Sequence, residues 1–181
     1  MQQKELEEYM AQFPIFQYHF FDPEELTFTE RVRMICQNEC ERYNSTWACP
    51  PAVGSVTECE KKCKAYKKAV FFSTVAEISD ITDMQEMLKT RMGHEKIVTE
   101  LENFLKKHDV DCLALSSDSC DICETCAWPN GPCRHLDQMH PCIESHGIVV
   151  TELAEKFHME YMLSMQEILW FGILFLGGSF S

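Results

Sequence analysis

Between Cys120 and Cys133 the chain reads Cys-x2-Cys-x2-Cys-x6-Cys. A two-residue spacing lets successive thiolates curl around one inorganic centre, with the intervening N–H groups turned towards the sulfurs. Three cysteines spaced in this way take three corners of a [4Fe–4S] cube, and a more distant cysteine takes the fourth. Structural zinc sites more often use paired C-x2-C knuckles. The triple run therefore points to a [4Fe–4S] cluster on Cys120, Cys123, Cys126 and Cys133, with zinc as the alternative. Bacterial ferredoxins place their fourth cysteine after three residues and before a proline. Here six residues intervene and Arg134 follows. Gly131 and Pro132 supply a turn that returns Cys133 to the others. Arg134 and His135 offset the negative charge of a thiolate-ligated cluster. Trp128, beside Cys126, reads either as a shield against water or as an ordinary surface aromatic.

The chain has eleven cysteines, an odd number that cannot pair completely. Its opening, MQQKELEEYMAQF, is acidic and lacks an apolar run, so it does not read as a signal peptide. The longest apolar run, Ile168 to Gly178, falls short of the roughly 20 residues that span a bilayer. The expectation is a cytoplasmic protein that uses no membrane, where thiols stay reduced and clustered cysteines are metal ligands and not disulfides. Ten methionines and many thiols oxidise easily, which suits an anaerobic or strongly reducing setting.

A second group comprises Cys36, Cys40, Cys49, Cys59 and Cys63. Cys36 and Cys40 stand one helical turn apart, as do Cys59 and Cys63. Cys49 precedes Pro50-Pro51. Cys36, Cys40, Cys49 and Cys59 are candidate ligands of a second cluster or a zinc ion. Because two-cluster ferredoxins exchange ligands between runs, Cys49 could also serve the first centre and Cys133 the second. Cys112, Cys63 and Cys142 read as packing or spare thiols, since free cysteine behaves as a small hydrophobe. His135, His140 and His146 read as surface or capping residues, with ligation or proton relay as the sharper reading.

The formal net charge of −13 repels phosphate backbones, so nucleic acid is not the expected partner. The same charge suits long-range steering onto a redox partner protein with a basic docking surface. No G-x-G-x-x-G, Walker lysine loop, G-x-S-x-G elbow or zincin motif is present, and no acid–base pair stands out.

With 181 residues the chain suits a single domain, residues 1–181, able to bury a core. Strands are expected at Ile15–Phe21, Ala69–Val75, Val110–Leu115 and Ile168–Leu176. Pro23 opens a helix expected to reach about Tyr43. Ser55 or Thr57 caps a short helix, and Asp80 or Thr82 caps a long one to about His108, which Gly93 could kink. Met139–Ser145 and Val150–Phe157 are short helices. The alternation implies an α/β fold: a single sheet of about four strands, helices packed on it, and a cysteine-rich metal-binding insert at about residues 116–142. The strand order does not follow from the pattern.

Cys40-x2-Tyr43, Trp47-x-Cys49-Pro50-Pro51, the Cys120 to Cys133 run with Arg134, Met139-x-Pro141 and Gly147-Ile148 together resemble an uncharacterised family of cysteine-rich predicted metal-binding proteins. The family occurs in bacteria and archaea, many of them anaerobes. The resemblance runs from about residue 30 to the last strand. It implies metal binding of iron–sulfur type and no particular reaction. Asn44 stands where it leads one to expect glycine, a place asparagine fills because it tolerates left-handed backbone. Leu136 replaces an expected proline, and Cys142 an expected serine, a change that could add a ligand here. Three functions fit these residues: an electron-transfer or redox-accessory protein, a zinc-stapled interaction module, and an enzyme whose cluster leaves one iron open to substrate.

Overall fold

Val70, Phe71, Phe72 and their neighbours form an apolar run with no polar face, which a strand can carry only when both faces of its sheet are covered. In the computed structural model, which describes residues 1–80 and 82–180, that run is β2 (Lys68–Glu77). It pairs antiparallel with β4 (Glu167–Leu176) along its whole length, from Lys68 opposite Leu176 to Glu77 opposite Glu167. β1 (Ile15–Phe21) adds to the free side of β2, and β3 (Cys112–Leu115) to that of β4. The sheet therefore has four antiparallel strands in the order β1-β2-β4-β3.

Alternate residues of β2 feed opposite cores, as the two-residue period of a strand requires. Phe71, Phe171, Ile173 and Phe175 face a core closed by Cys63 of α3 (Val56–Lys64) and by Leu153 and Ala154 of α5 (Val150–Lys156). Val70, Phe72 and Leu174 face a core closed by Leu6 and Met10 of α1 (Gln3–Met10) and by Val98, Leu101 and Leu105 of the long α4 (Met84–Lys107). Each fully buried leucine of that stripe contributes about 1.5–3 kcal/mol of transfer free energy. No helix among the described residues is long and apolar enough to cross a membrane.

The expected α/β architecture and all four strands are present, although β3 begins at Cys112 and not at Val110. Several boundaries differ for local reasons. The helix expected from Pro23 to Tyr43 is two elements, a single 3-10 turn at Pro23–Glu25 and α2 (Glu30–Glu39). Thr29 separates them: its side chain caps α2 by accepting from Arg31 N–H, and its own N–H donates to Gly147 O at 2.8 Å. A cap combined with a tertiary hydrogen bond outweighs continued helical propensity. α4 is capped by Asp83 and runs unbroken through Gly93. The Met139–Ser145 helix reduces to a 3-10 turn at Glu144–His146, stopped by Gly147 at φ 84°. α1 went unanticipated because its apolar residues are few, but Leu6 and Met10 lie one turn apart and Glu5 closes a capping box with Gln2.

Candidate metal centre

β3 and β4 lie side by side, and the chain leaving β3 at Ser116 returns beside itself at Cys142. Ser116 N–H donates to Pro141 O at 2.9 Å, and Ile143 N–H donates to Ser116 O at 2.9 Å. The insert is thus pinned at its base, while residues 117–141 contain neither helix nor strand. Its free end is tied down by charge. Arg91 of α4, only 4% exposed, donates to Asp121 Oδ2 at 2.6 Å and also lies 3.6 Å from Glu95 and 3.8 Å from Asp118. Arg42 pairs with the other Asp121 oxygen and donates to Cys120 O at 3.3 Å.

Two tryptophans join the insert to the loop after α2. Trp47 and Trp128 meet edge to face with ring centroids 4.7 Å apart. Trp47 Nε1 donates to Gly131 O at 3.0 Å, and Trp128 Nε1 donates to Asn44 Oδ1 at 2.8 Å. Asn44 has φ 57°, the left-handed conformation for which asparagine substitutes for glycine. Trp128 is half-buried against Trp47 and does not line the cavity of the four cysteines, which Trp47 does.

Cys120, Cys123, Cys126 and Cys133 line one cavity of about 390 Å3, together with Arg42, Arg134 and His135. The turn closed by Gly131 N–H on Ala127 O, at 2.9 Å, brings Cys133 back to the run. Burial raises the Cys120 thiol above its ordinary pKa, and the Cys133 and Cys126 sulfurs raise it further, against a hydrogen bond from Ile122 N–H. That N–H to sulfur contact is the kind that stabilises a cluster thiolate.

A second, larger cavity of about 540 Å3 opens between α2, the Cys49 loop and the chain after Cys142. Cys36, Cys40, Cys49 and Cys142 line it, with Glu144. Burial pushes the Cys36 thiol up, and Cys40, Glu144 and Cys49 add to the effect. Cys142 is driven well above the ordinary thiol range by burial, then by Glu144 and Cys49. Glu144 is itself raised by burial, with Asp118 adding to it. Ligation removes such thiol protons, so metal uptake here depends on pH.

Cys59 does not join this group. It is 0% exposed on α3, its thiol 3.6 Å from Val53 O and 3.6 Å from Arg33 Nη2. Cys63 is buried in the core, its thiol pushed up to about 12 by burial. Cys112 packs against the α1/α4 core. All eleven cysteines are free thiols. The spacing that pairs Cys59 with Cys63 reflects the buried face of α3.

Cys142, read from sequence as a spare thiol or an added ligand, faces the larger cavity together with Glu144, which the sequence did not single out. The signal available for Cys142 was its place beside Pro141 at the closing end of the insert. His140 and His146 are buried, at 5% and 3% exposure, and are not the surface residues their sequence context suggests. Burial works against charge on His140, but the carboxylates of Glu102 and Glu95 outweigh it and hold the imidazole up at about 9. Its Nδ1 lies 3.1 Å from Glu95 Oε2, and its Nε2 lies 3.7 Å from Glu102 Oε2.

Among the described residues, no three His, Cys, Asp or Glu side chains converge in the arrangement a single ion needs. A tetrahedral zinc, with Zn–S of about 2.3 Å, draws its sulfurs to about 3.8 Å of one another. A cube offers a separate iron to each sulfur and accepts a wider ring. A family model described as "Predicted metal-binding protein (DUF2284)" matches residues 19–176. No curated protein and no solved structure matches the chain.

Proposed function

The chain belongs to this family of predicted metal-binding proteins, and from that premise we propose that it carries a [4Fe–4S] cluster on Cys120, Cys123, Cys126 and Cys133 and acts as an electron-transfer or redox-accessory protein. The observation that supports the reading is the gathering of these four thiols around one cavity beside Arg42, Arg134 and His135. When bound, the cluster supplies one-electron chemistry. The chain's own residues position and tune it. The hydrogen bonds at Ser116 and the Arg91–Asp121–Arg42 ion pairs fix the insert. Arg42 and Arg134 offset thiolate charge, and Trp47 covers part of the cavity wall. A net charge of −13 steers the protein onto a basic redox partner.

Anaerobic reconstitution with iron and sulfide tests this. The expected product absorbs broadly near about 400 nm and bleaches with dithionite. A colourless protein, or one that holds zinc without iron and sulfide, overturns the reading, and zinc alone would identify a metal-stapled structural module.

A further inference from the structure

Five cysteines lie between residues 36 and 63, and the fold separates them. Cys59 and Cys63 turn into the protein on α3. Cys36 and Cys40 sit on the last turn and C-cap of α2, and Cys49 sits on the following loop. Cys142, almost a hundred residues later in the chain, closes the ring by standing on the return from the insert. Thr29 N–H on Gly147 O at 2.8 Å, and Arg33 Nε on Ser145 O at 2.8 Å, lash α2 to that return. The Ser145 N–H donates to the Cys142 sulfur at 3.2 Å, so this sulfur, like that of Cys120, receives a backbone donor.

We infer that Cys36, Cys40, Cys49 and Cys142 hold a second [4Fe–4S] cluster in the larger cavity, distinct from the cluster proposed on the insert. Three chain segments contribute its sulfurs, so the site exists only in the folded protein. Val32, Val150, Leu169 and Phe171 form an apolar part of its wall, and Arg42, Asp118 and Glu144 form a charged part. The apolar part keeps water from a cluster and lowers its potential by disfavouring the additional negative charge of the reduced state. Four thiols that aimed only to pack would meet carbon, whereas these four share about 540 Å3 of open space. The two centres stand next to each other. The Cys49 thiol donates to Ser119 Oγ at 3.1 Å, and Ser119 is bonded directly to Cys120.

The test is iron and acid-labile sulfide counting on the anaerobically reconstituted full chain and three variants. Cys40→Ser changes an exposed position and should leave the fold intact, as checked by circular dichroism. Cys142→Ser changes a buried one. Cys126→Ser removes a ligand of the insert centre. The expected result is about eight iron atoms per wild-type chain and about four in each variant, with Cys40→Ser and Cys142→Ser showing the same residual spectrum and Cys126→Ser a different one. Iron unchanged by Cys40→Ser overturns the second centre, whether or not Cys142→Ser folds. So does zinc in place of iron and sulfide at these thiols. If only Cys126→Ser lowers the count, the insert cluster stands alone. If only Cys40→Ser and Cys142→Ser lower it, the insert cluster falls and the second centre stands.

Discussion

The Cys49 thiol and the Ser119 hydroxyl are hydrogen-bonded at 3.1 Å in a buried seam between two cysteine-lined cavities. Thr46 Oγ1 completes the seam, 3.2 Å from the same hydroxyl. A single serine thus links the loop after α2 to the start of the cysteine run. Replacing Ser119 with alanine leaves both partners buried and unpaired. The expected cost is about 1–2 kcal/mol, which for a chain of this size lowers Tm by about 2–4 °C per kcal/mol. A thermal melt of the unloaded protein measures it, and an unchanged Tm would mean that the seam carries no energy.

The Trp47–Trp128 pair holds the far side of the insert. Trp47→Ala removes an edge-to-face contact of about 1 kcal/mol and the hydrogen bond to Gly131 O. The sheet does not involve Trp47, so the global fold should persist while the insert loosens. Iron should leave the reconstituted variant faster than wild type when challenged with a chelator, and circular dichroism should stay the same. Equal rates of iron loss would show that the ion pairs at Asp121 suffice to hold the loop.

Two glycines should respond to alanine with opposite signs. Gly147 has φ +84°, and a Cβ there would lie 3.0 Å from Val56 Cγ1 and 3.1 Å from Thr29 O. The left-handed backbone alone costs a non-glycine residue about 1–2 kcal/mol, and the close approach adds to it. Gly147→Ala should therefore destabilise and also disturb the Thr29 bond that lashes α2 to the Cys142 segment. Gly93 lies exposed within α4, and its Cβ would meet nothing within 4 Å. Gly93→Ala should stabilise by about 0.5–1 kcal/mol. Chemical denaturation of both variants reads the two signs directly.

The strands were legible because their signal is local: IFQYHFF, AVFFSTV and the run from Ile168 to Leu176 are apolar enough to commit without tertiary help. Pairing was not, since register and order depend on which faces the helices cover. The split at Thr29 was hidden for a related reason, because its partner Gly147 is distant in sequence. The insert was legible as a ligand set because Cys120, Cys123 and Cys126 are neighbours along the chain. The second set was only half legible. Cys36, Cys40 and Cys49 share a sequence neighbourhood with Cys59, and no local rule distinguishes a thiol facing a cavity from one facing a core. Only the fold brings Cys142 to the first three and turns Cys59 away towards Val53 and Arg33.

His94 makes acid stability a property of the α4–sheet contact. Its imidazole is 1% exposed, with Nε2 at 3.0 Å from Phe171 O and Nδ1 at 2.8 Å from Thr74 Oγ1. A carbonyl can only accept, so Nε2 carries the proton and Nδ1 accepts from the threonine in the neutral ring. Burial depresses its pKa to about 4, with His140 and Arg91 adding to the depression against Glu95 and the Phe171 carbonyl. The unfolded chain, whose histidine titrates near about 6.5, therefore binds more protons between about pH 6.5 and pH 4. Stability from this residue is fully present above the unfolded value and falls as pH drops through that window, by about 3 kcal/mol in all. His146, also depressed to about 4 by burial, acts in the same direction. Urea midpoints taken at intervals from pH 7 to pH 4.5 should fall for the wild type. In His94→Gln the fall should be shallower by up to about 1.4 kcal/mol per pH unit, whatever that variant's stability at pH 7. Parallel curves for the two proteins would mean that His94 is already protonated, or already solvated, in the folded chain.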